Sequence, residues 1–424
     1  LRLLIHTINY RPELTGIGKY TGEMCEWLAS RGHTVTVVAP PPYYPNWRIA
    51  GPHKQWRYAS STLDKVFVRR APIWIPKRPG GIARVLYALS FAISSFPLLL
   101  REAFRADVVF VIEPSFLNSP LAYVAARLAR ARAWLHIQDF EIDLAYDLGQ
   151  FRHGRRIARF LESLISRRFD VVSSISAAML RRAKAKGVSP EKMFLFPNFF
   201  DDSAIYPTQC SSLLRERLGI KSGSIVALYS GSLGAKQGIE MILESAKLLA
   251  GSNIHFVICG DGVSREALRA SARGAQNITF LPLQPAEDLN TLLNAADLHL
   301  LPQRPGAAPS VLPSKLIGML ASGRPIVAMA GADSEIAELA EGCSICVDPG
   351  DTVGFADAIR RMASDESGRR RMGQKARNRA LSRFRQDNIL SLVEARMIAT
   401  SKNIELPRAV PDLLAAVSDS AENS

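Results

Sequence analysis

The run Ser224-Ile225-Val226-Ala227-Leu228-Tyr229 leads into Ser230-Gly231-Ser232-Leu233-Gly234-Ala235-Lys236-Gln237-Gly238. A helical pattern then runs from Gly238 to Leu249, and a second apolar run follows, Ile254-His255-Phe256-Val257-Ile258-Cys259. Both apolar runs are short, rich in β-branched and aromatic residues, and bounded by glycine and small polar residues, which is the pattern of strands. A strand, a helical crossover and a second strand make a βαβ unit with parallel strands.

The alternation continues in both directions. Towards the N-terminus, strands are expected at Arg2 to Ile8, Thr34 to Ala39, Val66 to Arg70, Asp107 to Ile112, Ala133 to Gln138, Asp170 to Ile175 and Met193 to Phe196, with helices between them such as Gly18 to Ser30 and Ser119 to Ala129. Towards the C-terminus they are expected at Thr279 to Leu281, Leu298 to Leu300, Pro325 to Ala328 and Ile345 to Val347, with a helix at Glu287 to Ala295. The chain therefore reads as α/β with two doubly wound, Rossmann-like parallel sheets. Ligands of such sheets bind beyond the carboxyl ends of the strands, which directs attention to the loops after Ile8, Gln138, Tyr229, Cys259 and Leu301.

The 424 residues, 47% of them hydrophobic, suffice for two full cores and exclude a disordered or fibrous chain. No repeat at the roughly 20–50-residue periods of solenoids or propellers is present. Charge is unevenly divided: residues 1–200 carry 29 Lys+Arg against 14 Asp+Glu, a net +15, whereas residues 201–424 carry 24 against 25, a net −1. An anionic partner is expected for the first half. Five cysteines form an odd, sparse set, and Cys343-x-x-Cys346 has no second pair beside it, so ordinary thiols in a reducing compartment are expected. Leu1 to Ile8 runs straight into patterned sequence, with no expected cleavable leader.

Four motifs could carry chemistry. Gly16-Ile17-Gly18-Lys19 precedes a helix and could meet a phosphate through Gly16, Gly18 and Lys19. The departure from G-x-G-x-x-G at Thr21, and the lack of an acidic residue after the second strand, argue against a dinucleotide site. The Gly231 to Gly238 loop combines small residues, Lys236 and a helix start, as a diphosphate cradle requires. Cys259-Gly260-Asp261-Gly262 permits close approach of a ligand. Pro313 to Pro325 opens a helix whose first turn holds Ser314 and Lys315, placed to meet an anion.

Together with Asn9-Tyr10-Arg11-Pro12-Glu13, Pro41-Pro42-Tyr43-Tyr44-Pro45, His136-Ile137-Gln138-Asp139 and Pro197-Asn198, these motifs in this order resemble a retaining GT-B glycosyltransferase that uses nucleotide-diphosphate sugars. The closest likeness is to the colanic-acid-type polysaccharide glycosyltransferases of bacteria. The resemblance covers the chain to about residue 400 and implies two Rossmann-like domains facing across a cleft. Residues 1–200 would bind the acceptor, residues 201–385 the nucleotide sugar, a helix over 386–402 would return to the first domain, and 403–424 would form a polar tail. It further implies transfer with retention to a lipid-linked glycan acceptor, no metal and no cofactor. Donor contacts would fall to Gly231, Ser232, Lys236, Gly260, Asp261, Gly262, Ser314 and Lys315, with Lys236, Lys315 and backbone N–H groups after Gly231 stabilising the departing diphosphate.

The sequence departs from that pattern at Ser232, where Arg is common, and at Ser310 and Gly318, which stand in place of the two glutamates of E-x7-E. Lys315 is expected to take part of the ribose-binding role of the second glutamate. The family's His-Asp falls on Gln138-Asp139, with His136 two residues earlier. Asp139 is the first candidate catalytic residue and His136 the second, against the plainer readings of a helix cap and a core histidine.

Arg84 and Arg101 bracket sixteen uncharged residues, Val85 to Leu100, with Lys77, Arg78 and Arg105 outside them. This is short of the roughly 20 residues that span a membrane. With the +15 charge it suggests an interfacial helix over 84–101 on anionic lipid, against an amphipathic helix covering the sheet. The expected location is cytoplasmic, peripheral on the inner face of the bacterial plasma membrane. Two alternatives are a nucleotide-sugar epimerase of the same architecture and a basic nucleic-acid-binding protein. No nucleic-acid module is recognisable, so no nucleic-acid partner is expected.

Overall fold

The structure is a computed structural model describing residues 1–13, 16–44, 46–49, 51–77, 80–114, 116–147, 154–208, 212–234, 237–305 and 312–404. Of the residues singled out above, Pro45, Arg78, Ala235, Lys236, Ser310 and the tail from 405 lie outside the described residues. Contacts divide the chain into two units, Leu1–Pro197 with the chain from Asn388, and Asn198–Asp387.

The first unit holds β1 (Arg2–Thr7), β2 (Thr34–Ala39), β3 (Ala59–Leu63), β4 (Val66–Arg70), β5 (Val108–Glu113), β6 (Arg132–Ile137), β7 (Val171–Ser174) and β8 (Met193–Leu195), in sheet order β3-β4-β2-β1-β5-β6-β7-β8. All neighbours are parallel except the edge pair β3 and β4, which is antiparallel. That edge strand was not expected; its sequence, Ala-Ser-Ser-Thr-Leu, is nearly all exposed and lacks an apolar face. Inner strands such as β5, Val-Val-Phe-Val-Ile-Glu, are buried throughout because helices cover both faces of the sheet. Those helices are α1 (Gly16–Ser30), α2 (Gly81–Ala103), α3 (Ser119–Leu128), α4 (Glu141–Asp147), α5 (Arg155–Ser166) and α6 (Ala177–Ala185).

α2 corrects the sixteen-residue reading. It is 23 residues long and includes both Arg84 and Arg101, so by length and composition alone it could cross a membrane. One face nevertheless packs on the sheet, burying Tyr87, Ala88, Phe91, Ala92, Ser95 and Leu99.

The second unit holds β9 (Ile225–Ser230), β10 (Ile254–Cys259), β11 (Ile278–Leu281), β12 (Leu298–Leu301), β13 (Ile326–Met329) and β14 (Ser344–Val347), all parallel, in order β11-β10-β9-β12-β13-β14. Its helices are α7 (Ser212–Arg217), α8 (Ile239–Leu248), α9 (Arg265–Ser271), α10 (Leu289–Asn294), α11 (Lys315–Ala321), α12 (Glu335–Leu339), α13 (Thr352–Ser364) and α14 (Glu366–Phe384). α15 (Gln386–Lys402) follows, and its Glu394 pairs with His33 at 2.8 Å and with Arg31 at 3.3 Å.

Strand order reverses between β9 and β12 in the second sheet and between β1 and β5 in the first. At such switch points the loops leave in opposite directions and open a crevice. The described residues that directly follow β9, β12, β1 and β5 are placed there by topology alone.

Candidate active site

In the second unit the loop after β9 is built from two glycine segments. The Gly231 N–H donates to the Cys259 carbonyl (3.0 Å), the Leu233 N–H to the Asp261 carbonyl (2.8 Å) and the Ser264 N–H to the Leu233 carbonyl (3.0 Å). A Cβ on Gly260 would stand 1.8 Å from the Gly231 carbonyl oxygen, and one on Gly262 would stand 2.7 Å from that of Leu233. No side chain fits at that approach, so packing of one loop on the other already demands both glycines. The Asp261 carboxylate is exposed and accepts from the Gly262 N–H at 2.8 Å.

Lys315, at the start of α11, reaches this loop. Its Nζ donates to Tyr229 Oη and to Gln237 Oε1, both at 2.8 Å, and lies 4.3 Å from the centroid of the Tyr229 ring. Tyr229 Oη in turn donates to the Ser232 carbonyl at 2.7 Å. A Cβ on Gly231 would lie 3.3 Å from both Cε and Nζ of Lys315, so the glycine leaves the ammonium its place. No carboxylate pairs with Lys315 among the described residues. Removal from water disfavours the charged form and pushes the amine down to about 7. Ser314, next to it, is exposed and makes no side-chain cap to α11.

The sequence reading missed Tyr229 and Gln237. Tyr229 looks like one more strand residue, and its hydroxyl matters only because the fold brings α11 under β9. Gln237 reads as a mere departure from a lysine-glycine pattern, yet it supplies the amide oxygen that holds the Lys315 ammonium.

In the first unit the segment after β1 is organised by Glu13. Its buried carboxylate accepts from the backbone N–H groups of Tyr43 and Tyr44 (3.0 Å each) and from Asn9 Nδ2 (2.9 Å). Arg70 donates to the carbonyls of Pro40 (2.7 Å) and Arg11 and lies over the Tyr10 ring. Residues 9–13 and 40–44, prominent in sequence, are thus tied to each other. Gly18 and Lys19, expected with Gly16 to meet an anion, also have partners within the unit. A Cβ on Gly18 would meet Glu13 Cβ at 2.9 Å, which explains that glycine by packing, and the Lys19 ammonium is held by Glu23 at 3.0 Å. Gly16 opens α1 with φ of 60° and nothing near its Cβ position.

β5 ends in Glu113, buried, accepting from Ser119 Oγ at 2.6 Å and pushed up to about 8 by burial. Beside it, the Gln138 N–H donates to the Glu113 carbonyl at 3.3 Å, and Asp139 lies half-buried between β6 and α4. His136, the second catalytic candidate, is a core residue. Its ring lies in the core between Phe110 and Phe196 (centroids 5.8 and 4.7 Å away), Nδ1 meets Ser173 Oγ at 2.9 Å, and burial holds the imidazole neutral, down to about 3. Among the described residues no group of three or more His, Cys, Asp or Glu is arranged to hold a metal ion.

Residues 15–198 match the Glycosyl transferase 4-like domain and residues 211–379 match Glycosyl transferases group 1. Over 373 residues, 85% of this chain and 91% of the relative, the sequence is 38% identical to WcaI of Escherichia coli (strain K12), named a colanic acid biosynthesis glycosyl transferase. Among solved structures, Anabaena Alr3699/HepE in complex with UDP and glucose superposes with a TM-score of 0.71 at 17% identity, covering 94% of this chain and 99% of that one. WaaG, a glycosyltransferase involved in lipopolysaccharide biosynthesis, superposes with a TM-score of 0.67 at 17% identity, covering 93% and 98%. Two Rossmann-like units, the order of the matched domains and the extent of the identity agree: the chain belongs to the GT-B glycosyltransferases that pair a Glycosyl transferase 4-like domain with a group 1 domain.

Proposed function

We propose that this glycosyltransferase takes a sugar from a nucleoside-diphosphate sugar held by its second unit. It passes the sugar, with retention and without a metal, to a lipid-linked glycan acceptor held by the first. The relatives' names place them in colanic acid and lipopolysaccharide biosynthesis, which supports a role in building a bacterial surface polysaccharide at the cytoplasmic face of an anionic membrane. The single observation that carries the donor reading is Lys315, an enclosed ammonium beside Gly231 with hydroxyl and amide partners but no carboxylate. A diphosphate would supply the missing charge. UDP and glucose bound to a protein of the same fold support the same ligand class.

In this reading Lys315 binds the diphosphate and takes up the negative charge that grows on it as the glycosidic bond breaks. The N–H groups of Gly231 and Leu233 are already committed to the neighbouring loop, which leaves those of Ser232 and Gly234 to face the phosphates. Lys236, from the unit's glycine loop, adds a second cation. Asp139, at the carboxyl end of β6, orients the reacting sugar or hydroxyl, so its contribution appears in the transition state. The membrane surface would be met by the basic first unit, with α2 lying in the interface.

The test is product analysis with a panel of nucleoside-diphosphate sugars and membranes as acceptor. Transfer to lipid with the donor's anomeric configuration kept, in the presence of a chelator, is the expected result. Epimerised nucleotide sugar without any acceptor product would contradict it. Asp139→Asn lowers turnover by about a hundredfold with donor affinity unchanged. A fully active variant would remove Asp139 from the reaction.

A further inference from the structure

α5 is built inside out. At helical spacing its residues Ile157, Phe160, Leu161 and Leu164 share one face, and Glu162, Ser166 and Arg159 the other. The polar face is the one turned to the protein: Glu162 and Ser166 are 2% and 3% exposed, whereas Ile157, Phe160 and Leu161 are 68%, 60% and 46% exposed. The orientation is locked. Lys186 binds both Glu162 and Asp143 (2.9 Å to the latter), and Asp143 is also 3.4 Å from Arg159 and 3.5 Å from Arg182. Rolling the helix to hide its apolar face would strip Lys186 of Glu162 and leave buried charges unpaired. The outward apolar face is therefore part of the fold.

α2 also turns an apolar stripe outward, beside the apolar face that it packs on the sheet. Its outward stripe is Ile82, Val85, Leu86, Leu89 and Ile93, all exposed, with no charged side chain between Arg84 and Arg101. Both helices attach to α4: Arg84 bonds Glu141 at 3.0 Å, and Arg159 reaches Asp143. Arginines flank the α5 stripe at Arg155, Arg156, Arg167 and Arg168, in the half of the chain whose net charge is +15.

An apolar face rimmed by guanidinium groups fits an anionic lipid surface, where the stems can lie along the acyl boundary while the charges reach phosphate. We infer that α5 is a second membrane-docking helix, inserting Ile157, Phe160 and Leu161 into the headgroup boundary of anionic lipid. This rests on the membrane reading above, and it adds a site that the uncharged stretch of α2 did not indicate.

The test is co-sedimentation of the full chain with vesicles of phosphatidylethanolamine and phosphatidylglycerol, with phosphatidylcholine vesicles as the control. The expected result is binding to the anionic vesicles alone, weakened about tenfold or more when Ile157, Phe160 and Leu161 are all replaced by Ser. Nucleoside-diphosphate binding and the circular dichroism of that variant stay as in the parent, since the three side chains are exposed. A Phe160→Trp variant is expected to be quenched by brominated lipid. Undiminished binding of the triple variant, or an introduced indole that brominated lipid leaves unquenched, overturns the role of α5 while leaving a membrane-bound enzyme. Absence of vesicle binding by the parent protein overturns the membrane reading itself. A lipid-free dimer that the triple substitution dissociates assigns the face to a second copy of the chain and also overturns the inference.

Discussion

Lys186 in the first unit and Lys315 in the second are both ammonium groups drawn out of water, and both lie over an aromatic ring, 4.7 Å from Phe140 and 4.3 Å from Tyr229. Their polar partners differ. Lys186 is met by two carboxylates, Asp143 and Glu162, whereas Lys315 is met by a hydroxyl and an amide oxygen. The first charge is balanced by the fold and serves to hold α4, α5 and α6 together. The second is balanced by nothing recorded in the described residues, and an enclosed charge without a counter-ion has a cost that a ligand can remove. A paired buried cation is thus a structural element, whereas the one beside the glycine loop is what supports the proposed diphosphate site.

The contrast breaks most visibly at Lys186. Lys186→Met leaves Asp143 and Glu162 without their shared cation and is expected to destabilise the first unit by about 3–5 kcal/mol in urea unfolding. Nucleoside-diphosphate affinity of the protein that remains folded should be unchanged. Little loss of stability would mean that the arginines around Asp143 suffice without the lysine.

Lys315→Met should do the reverse. It removes an uncompensated charge, so stability stays level or rises slightly, while nucleoside-diphosphate affinity falls by about ten- to a hundredfold, the worth of one charge-assisted hydrogen bond. Large destabilisation with unchanged affinity would make Lys315 a structural lysine like Lys186 and end the comparison.

The strands were readable because buried parallel strands must be apolar on both faces, and β5, β9 and β10 are mostly hydrophobic. β3 was not, because Ala59–Leu63 is exposed and offers no such signal; only its antiparallel pairing with β4 makes it a strand. The ends of α2 were misjudged because Arg84 and Arg101 looked like boundaries, yet a long guanidinium stem can sit on a helix and still reach water or Glu141. At the site, the small residues after β9 and β10 and the lysine opening α11 were legible, but spacing along the chain cannot tell a glycine that admits a ligand from one that admits another loop. Gly260 and Gly262 press against the Gly231 loop, and Gly18 against Glu13. His136 shows the same limit: a histidine on a strand looks the same in sequence whether it faces substrate or the Phe196 ring. The outward apolar face of α5 needed the structure, since apolar residues at helical spacing ordinarily point inward.

The role of Lys315 is read most directly by calorimetry of nucleoside-diphosphate binding in two buffers of different ionisation enthalpy at about pH 8.5. In the free protein Lys315 is pushed from 10.5 down to about 7, so across the window from about 7 to 10.5 the folded protein holds fewer protons than the unfolded chain, and its stability relative to Lys315→Met rises with pH. An arriving diphosphate restores the charged form, so binding takes up a proton and affinity falls, by up to tenfold per pH unit, as pH climbs through the same window. Close to one proton is expected to be taken up by the parent protein and none by Lys315→Met. Buffer-independent heats in the parent, or equal uptake in both proteins, would contradict that role.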